Sequence, residues 1–219
     1  MPRTARAAVG GIIYHVLNRG NARAEVFHKP EDYDAFIDLF VPACERLSMR
    51  MLGWCLMPNH FHLVLRPLED GDLGRWMQWL MTSHVRRYHR HYQTDGHVWQ
   101  GRFKAFPIQA DEHLLTVLRY VERNPLRAKL VDRAEQWRWS SLSLRDKQSP
   151  ARILAKSPVS LPRNWTERVN RPLTEAEMLA VQTSIERGSP LGNTIWQRST
   201  ATRLGLESTL RPRGRPRNK

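Results

Sequence analysis

The sequence predicts an α+β fold in which helices cover one side of an antiparallel sheet. One observation is the order of the elements: short apolar runs typical of strands alternate with amphipathic helical stretches in the order β-α-β-β-α-β-α. A second observation is a pair of apolar runs, 50–56 and 61–66, that flank the turn-favouring residues Pro58 and Asn59. Because two strands joined by a tight turn run in opposite directions, this hairpin predicts an antiparallel sheet.

The first half of the chain supplies the first five elements. Residues 11–18 form the predicted first strand, and a helix follows from Pro30 to about Leu47, because its apolar residues recur at helical spacing. After the hairpin, residues 73–88 have the strongest helical periodicity in the chain. Their apolar face is formed by Leu73, Trp76, Met77, Leu80, Met81, Val85 and Tyr88.

Two further elements complete the predicted domain. The pattern over residues 97–109 predicts short strands that Gly101 interrupts. Asp111 is placed to cap the N-terminus of a helix that continues to about Arg123. We expect this helix to end at Asn124, because a residue that precedes a proline avoids the α-helical region.

Changes in composition divide the chain into three predicted parts. Residues 1–145 form the main domain, and residues 146–172 are polar and interrupted by prolines, as is typical of a linker. Residues 173–219 form a helical appendage with a basic tail. Its first helix begins with the capping box Thr174–Glu177, and its second helix covers residues near 193–204.

The charge of the chain indicates a polyanionic partner. The 219 residues include 35 Lys and Arg against 21 Asp and Glu, a formal net charge of +14 that favours nucleic acid over a membrane. No apolar run approaches the roughly 18 residues of a membrane span, and Tyr14 and His15 interrupt the apolar N-terminus, unlike a signal peptide. Cys44 and Cys55 lie in apolar surroundings, which suits free thiols in a reducing cytoplasm. We therefore expect a cytoplasmic protein that binds nucleic acid.

Two histidines that are one residue apart, His60 and His62, open the strand-like run in MPNHFHLVL. Residues i and i+2 of a strand face the same way, roughly 7 Å apart, so the two imidazoles can share a metal ion while Phe61 and Leu63 enter the core. The pattern alone is weak, because His89–His91 repeats it at the end of a helix, where residues two apart point to nearly opposite sides. Two solvated or packed histidines remain the alternative.

The predicted helix after Asp111 carries a polar stripe. Thr116, Tyr120 and Asn124 recur at four-residue spacing and therefore lie along one face of the helix, beside its apolar face. A half-buried tyrosine whose hydroxyl reaches solvent is the more common interpretation of Tyr120. A tyrosine one turn before an amide, on a helix able to pack beside the histidine strand, also indicates an active site.

Four segments, in order, resemble one family. MPNHFHLVL, HVWQGRFKAFPI, LRYVERNPLRAKLV and RGRPR together resemble the REP-associated tyrosine transposases, which are relatives of the single-tyrosine HUH transposases of bacterial insertion sequences. The resemblance is close over about residues 10–145 and looser over residues 188–192 and the basic tail. It implies a ferredoxin-like antiparallel sheet with helices on one side and a helical C-terminal appendage.

The resemblance also implies a chemistry for the main domain. It implies a metal-dependent endonuclease and strand transferase that acts on single-stranded DNA with hairpin-forming, REP-like palindromes, through a 5′-phosphotyrosine. Matched by position, His60 and His62 are the histidine pair, Tyr120 is the nucleophile and Asn124 is a third, oxygen-donating metal ligand. Two imidazoles and an amide oxygen suit Mg²⁺ or Mn²⁺ as the cofactor.

Basic residues near these positions are candidates for DNA binding. Arg102 and Lys104 alternate with Phe103, a mixture that suits phosphate contacts and base stacking. A strand in which Phe103 belongs to the core is an equally good interpretation of that residue. Arg123 and Arg127 flank the Asn-Pro turn, and we expect both to contact phosphate groups beside the site.

The basic tail LRPRGRPRNK leaves two interpretations open. Arg213 and Arg215, separated by a glycine, resemble an AT-hook, in which an extended backbone enters a narrow minor groove. A disordered basic tail would instead add affinity for DNA of any sequence.

Two other functions compete with the transposase. A catalytically silent regulator that binds DNA hairpins with the same fold is the main alternative, and the presence of all four catalytic residues argues against it. A zinc hydrolase is disfavoured, because the chain lacks H-E-x-x-H and its element order does not make a TIM barrel. Related insertion-sequence enzymes are dimers that exchange their tyrosine helices. The resemblance to the REP-associated branch implies a monomer, and a dimer like those of the related enzymes is the alternative.

Overall fold

A four-stranded antiparallel sheet organises the protein. A computed structural model describes residues 8–145 and 153–211. The strands lie in the order β2-β3-β1-β4 and every neighbouring pair is antiparallel. They are β1 (Ile13–Arg19), β2 (Met49–Met57), β3 (His60–Pro67) and β4 (Lys104–Ile108). The predicted α+β fold class and the hairpin between β2 and β3 are confirmed.

Ten α-helices accompany the sheet in the described residues. They are α1 (Pro30–Ile37), α2 (Phe40–Arg46), α3 (Asp72–Tyr92), α4 (Glu112–Glu122), α5 (Asn124–Arg127), α6 (Leu142–Arg145), α7 (Trp165–Asn170), α8 (Glu175–Arg187), α9 (Thr194–Leu204) and α10 (Glu207–Leu210). The described part of the chain contains no helix that is both long and apolar enough to span a membrane.

Helices lie on both faces of the sheet, which corrects the prediction that they cover one side. On the first face, Leu63 and the apolar strand residues on the same side of the sheet pack against α1, α2 and α3. On the second face, Val64 and the apolar strand residues on that side pack against α4, α7 and α8. The physical reason is that neighbouring residues of a strand point to opposite faces. Since both sets are apolar in β2, and Val64 of β3 adds to the apolar second face, each face needs a cover.

Two local differences from the predicted elements have simple causes. The single helix predicted for residues 30–47 is two helices, α1 and α2. Pro42 lacks the N–H that a continuous helix would bond to the Asp38 carbonyl. Strand β4 is shorter than the pattern over residues 97–109 indicated, and Gly101 before it has a positive φ of 68°.

The C-terminal part packs on the second face. Within the range expected to be a linker, the structure describes α7, whose Trp165 and Val169 are buried in the core below α4. The capping box at Thr174 is present, with its hydroxyl accepting from Glu177 N. Leu191 exchanges backbone hydrogen bonds with the exposed edge of β4, at 2.9 Å from Leu191 N to Pro107 O. The domain boundaries at 145 and 172 stay predictions.

Candidate active site

A cleft of about 410 Å³ opens where β3 begins and α4 ends. His60 and His62 line it from β3, because alternate residues of a strand share a face. Tyr120 from α4 and Asn124, the first residue of α5, line the opposite wall. The structure therefore brings together the four residues that the sequence singled out for catalysis, although they come from elements about 60 positions apart.

The two histidines are close together and largely shielded from water. Their ring centroids lie 5.0 Å apart, while Phe61 between them is fully buried on the first face. Burial, followed by the nearby charges of Arg19 and Arg127, lowers the pKa of His60 to about 4. Burial likewise holds the pKa of His62 well below its usual value. Both imidazoles are therefore neutral at pH 7, the form in which histidine binds a metal.

A neighbour engages the Nδ1 atom of each imidazole. Asn59 Oδ1 lies 2.7 Å from His60 Nδ1, and the Asn59 amide also donates to the Arg23 carbonyl at 3.1 Å. His15 Nε2 lies 2.9 Å from His62 Nδ1, and burial lowers the pKa of His15 to about 3. These contacts leave the Nε2 atoms of His60 and His62 as the nitrogens available to a ligand.

Tyr120 lies beside the histidine pair under a guanidinium group. Its ring centroid is 5.8 Å from that of His62, and its side chain is largely buried. Arg127 Nη2 donates to the Tyr120 hydroxyl at 3.3 Å and to Asn124 Oδ1 at 2.9 Å. The Arg127 guanidinium also lies 4.9 Å above the Tyr120 ring, a cation–π geometry. One cation thus contacts two of the three residues of the polar stripe, Tyr120 and Asn124.

The donors in the cleft suit a cation held by mixed ligands. Among the described residues, no group of three or more His, Cys, Asp or Glu side chains is placed to hold a metal ion. The candidate set is therefore two imidazole nitrogens and the Asn124 amide oxygen, with water or phosphate oxygens completing the shell. Asn124 Nδ2 is buried without a hydrogen-bond partner in residues 8–145 and 153–211. We take this orphaned amide as a sign of a polar site that is completed by a ligand.

The predicted DNA-binding residues 102–104, which lead into β4, lie at the same end of the sheet as the cleft. Lys104 pairs with Leu17 of β1, which itself lines the cleft, and Gln100 N donates to the Arg19 carbonyl at 2.8 Å. Arg102 and Lys104 are exposed. Phe103 is half-buried and packs against the core of the first face, so both interpretations of it remain open.

The other predicted DNA contacts differ in their surroundings. Arg127 is exposed and lines the cleft. Arg123 instead turns toward α7, where its guanidinium donates to the carbonyls of Val169 and Asn170. Arg213 and Arg215 lie outside the described residues.

Three residues around the cleft were missed by sequence reasoning. They are Arg19, which lines the cleft, and His15 and Asn59, which contact the histidine rings. Asn59 directly precedes the pair, so its position in the motif was a usable signal. His15 had no local signal, because its contact with His62 depends on how β1 and β3 align.

Comparisons with known proteins identify the family of the chain. The family model described as "Transposase IS200 like" matches residues 8–124. A REP-associated tyrosine transposase of Haemophilus influenzae is 26% identical over 121 residues, which cover 50% of this chain and 69% of that protein. A solved structure described as a REP-associated tyrosine transposase bound to a REP hairpin matches with a TM-score of 0.52 at 17% identity, covering 80% of this chain and 100% of that one. The chain therefore belongs to the IS200-like transposase family, as its resemblance to the REP-associated tyrosine transposases predicted.

Proposed function

We propose that this transposase is a metal-dependent endonuclease and strand transferase that acts on single-stranded DNA near a hairpin. The observation that carries the proposal is the placement of Tyr120 in one cleft with His60, His62 and Asn124. A hydroxyl nucleophile beside two neutral imidazoles and an amide oxygen matches phosphodiester cleavage through a covalent intermediate. Hairpin DNA is proposed because a solved structure with the same fold is described as bound to a REP hairpin.

In this mechanism Tyr120 Oη attacks the scissile phosphorus. The O–P bond to the tyrosine forms as the bond to the 3′ oxygen breaks, which gives a 5′-phosphotyrosine and a 3′-OH strand end. The phenolic proton passes to solvent or to the departing oxygen. A divalent cation, Mg²⁺ or Mn²⁺, would be held by His60, His62 and Asn124. Its positive charge would stabilise the negative charge that develops on the phosphate oxygens. Attack by a new 3′-OH on the phosphotyrosine reverses the step and needs no ATP, since the phosphodiester energy is kept.

Arg127 has two tasks in this proposal. Its guanidinium donates to the Tyr120 hydroxyl, so it holds the nucleophile and favours negative charge on the phenolic oxygen as the proton leaves. It is also exposed in the cleft, where it can donate to an oxygen of the scissile phosphate. Because one chain supplies all of these side chains, we propose that a monomer is competent.

The test is covalent capture of the protein on DNA. The protein is incubated with a labelled single-stranded hairpin from palindromes flanking its own gene, with Mn²⁺, with Mg²⁺ or with a chelator. We expect a denaturation-resistant adduct that requires the cation, is lost in Tyr120→Phe and persists in Tyr88→Phe. Tyr88 is a suitable control because it lies on α3 and contacts His28. Hairpin binding without an adduct in any metal would reject the enzyme and favour the regulator.

A further inference from the structure

A third histidine, in addition to His60 and His62, contacts the candidate metal site. His15 comes from β1 and is completely buried, with its ring centroid 5.0 Å from that of His62. In the sheet, Leu17 lies opposite His62, so His15 is the diagonal neighbour of His62 on the second face. Its Nε2 atom lies 2.9 Å from His62 Nδ1. No other part of the proposed mechanism uses His15.

The contact between His15 and His62 has two possible proton arrangements. A neutral imidazole carries one N–H, so either His15 donates to His62 or His62 donates to His15. If His15 Nε2 donates, the hydrogen of His62 lies on Nε2 and blocks that nitrogen from binding a cation. If His62 Nδ1 donates, His62 Nε2 presents a lone pair. Only the second arrangement is compatible with metal ligation.

The neighbours of His60 and His62 differ in how strictly they fix the tautomer of each imidazole. For His60, the Asn59 amide donates to the Arg23 carbonyl, so the Asn59 oxygen is left to accept from His60 Nδ1. Arg23 has a positive φ of 64°, as does Ala22 at 50°, so a constrained loop fixes the orientation of that amide. Asn59 thus imposes one tautomer on His60. His15 can serve His62 as either donor or acceptor.

We propose that His15 is a positioning residue, which holds the His62 ring and accepts its Nδ1 hydrogen when His62 Nε2 binds a divalent cation. The inference rests on the proposed metal site. When a cation is bound, the hydrogen of His15 lies on Nδ1, which has no hydrogen-bond partner among the described residues. His15 Nδ1 has no partner in either arrangement: it is an unpaired donor when the cation is bound and an unpaired acceptor when the two hydrogens shift. His15 therefore couples cation binding to the tautomers of two histidines.

The test compares Mn²⁺ affinity, measured by isothermal titration calorimetry, in three variants and the wild type. His15→Leu removes the acceptor and should weaken Mn²⁺ binding about 10- to 100-fold, as for other residues that orient metal ligands. His15→Gln places an amide oxygen near the Nε2 position and should restore most of the affinity. His84→Leu is the matched control, because His84 is also a buried histidine but packs on the first face beside Phe27 and Phe36. It should bind Mn²⁺ like the wild type.

Each outcome is decisive. Equal Mn²⁺ affinity in His15→Leu and wild type would overturn the role of His15 and leave the metal site intact. No saturable binding in the wild type would instead overturn the metal site, and this inference with it. If His15→Leu does not fold, as judged by circular dichroism, nitrogen-15 NMR of the wild type with saturating Zn²⁺ decides. A hydrogen on His15 Nδ1 supports the proposal, and a hydrogen on His15 Nε2 rejects it.

Discussion

Arg127 is the side chain that links the nucleophile to the candidate ligand Asn124. It donates to both Tyr120 and Asn124 and lies over the tyrosine ring. Replacing it with methionine keeps a long apolar stem and removes the charge and the donors. We therefore expect Arg127→Met to slow formation of the covalent adduct about 100-fold, the usual effect of losing one electrostatic donor at a reacting centre.

Single-turnover adduct formation at saturating hairpin concentration measures this effect, because it separates the chemical step from DNA binding. Arg203→Met is the control, since Arg203 is exposed on α9. A rate for Arg127→Met equal to that of the control would show that Arg127 takes no part in the chemical step.

Buried histidines also make the stability of the fold depend on pH. Burial, together with the nearby charge of Arg87 and despite the opposing charge of Asp32, lowers the pKa of His84 to about 3. The unfolded chain takes up a proton near pH 6.5, so the stabilisation is complete above that pH and is lost as the pH falls toward 3. At pH 5 the loss of stability is about 2 kcal/mol for His84 alone.

Urea unfolding at pH 7 and at pH 5 tests whether the stability falls as the pH is lowered. The free energy of unfolding should fall on acidification, and His84→Leu should make the fall smaller by about 2 kcal/mol. His97→Leu, at an exposed position, should leave the fall unchanged. A variant His84→Leu with the same pH dependence as the wild type would contradict the account.

At the scale of elements, α4, the helix that carries Tyr120, is held in place by its own last residue, Glu122. Glu122 is fully buried, and its Oε1 accepts from Ser141 Oγ at 2.5 Å and from Arg145 Nε at 2.6 Å. Its Oε2 accepts from Trp165 Nε1 at 2.7 Å. One carboxylate therefore joins α4 to α6, to the residue before α6 and to α7, which fixes α4 against the sheet two residues after the nucleophile.

Glu122→Gln should destabilise the protein by about 3 kcal/mol. The amide replaces one acceptor with a donor and leaves Arg145 without its buried counter-charge. Urea unfolding measures the loss. Glu186→Gln, at an exposed position on α8, should stay within about 0.5 kcal/mol of the wild type. If both variants unfold alike, the Glu122 network does not stabilise α4.

On the scale of the whole molecule, the net charge of +14 predicts that DNA binding weakens as the salt concentration rises. Each phosphate contact adds about 0.9 to the slope of log affinity against log salt concentration on duplex DNA. If Arg213 and Arg215 contact phosphate, the double variant Arg213→Ala/Arg215→Ala should lower the slope by about 2. Arg102→Ala/Lys104→Ala should lower the slope similarly if the segment that leads into β4 contacts the DNA backbone.

Salt titrations of hairpin binding, followed by fluorescence anisotropy, measure these slopes. The same titrations on A·T-rich and G·C-rich hairpin stems separate the two interpretations of the tail. A loss of affinity confined to A·T-rich stems indicates minor-groove binding of the AT-hook type. An equal loss on both indicates a basic tail that binds any sequence, and an unchanged slope would exclude the tail from the interface.

Local spacing in the sequence was enough to predict much of the site. The alternation of β3 places His60 and His62 on one face, and four-residue spacing places Tyr120 one turn before Asn124. The helix starts at Asp111 and Thr174 were also predictable, because a cap bonds to backbone only two or three residues away. Each of these features depends on neighbours along the chain, which a sequence displays directly.

Tertiary structure alone decided the other features of the fold and the site, because those features depend on which distant segments of the chain pack together. Helices cover both faces because apolar residues of the same strands point both ways, and the sequence does not say which helix takes which face. The contact of His15 with His62 follows from the alignment of β1 with β3, and that of Glu122 with Trp165 from the docking of α7. By itself the sequence determined the α+β class, the catalytic candidates and the family. The fold decided which charges reach the cleft: it brings Arg127 to Tyr120 and turns Arg123 toward α7.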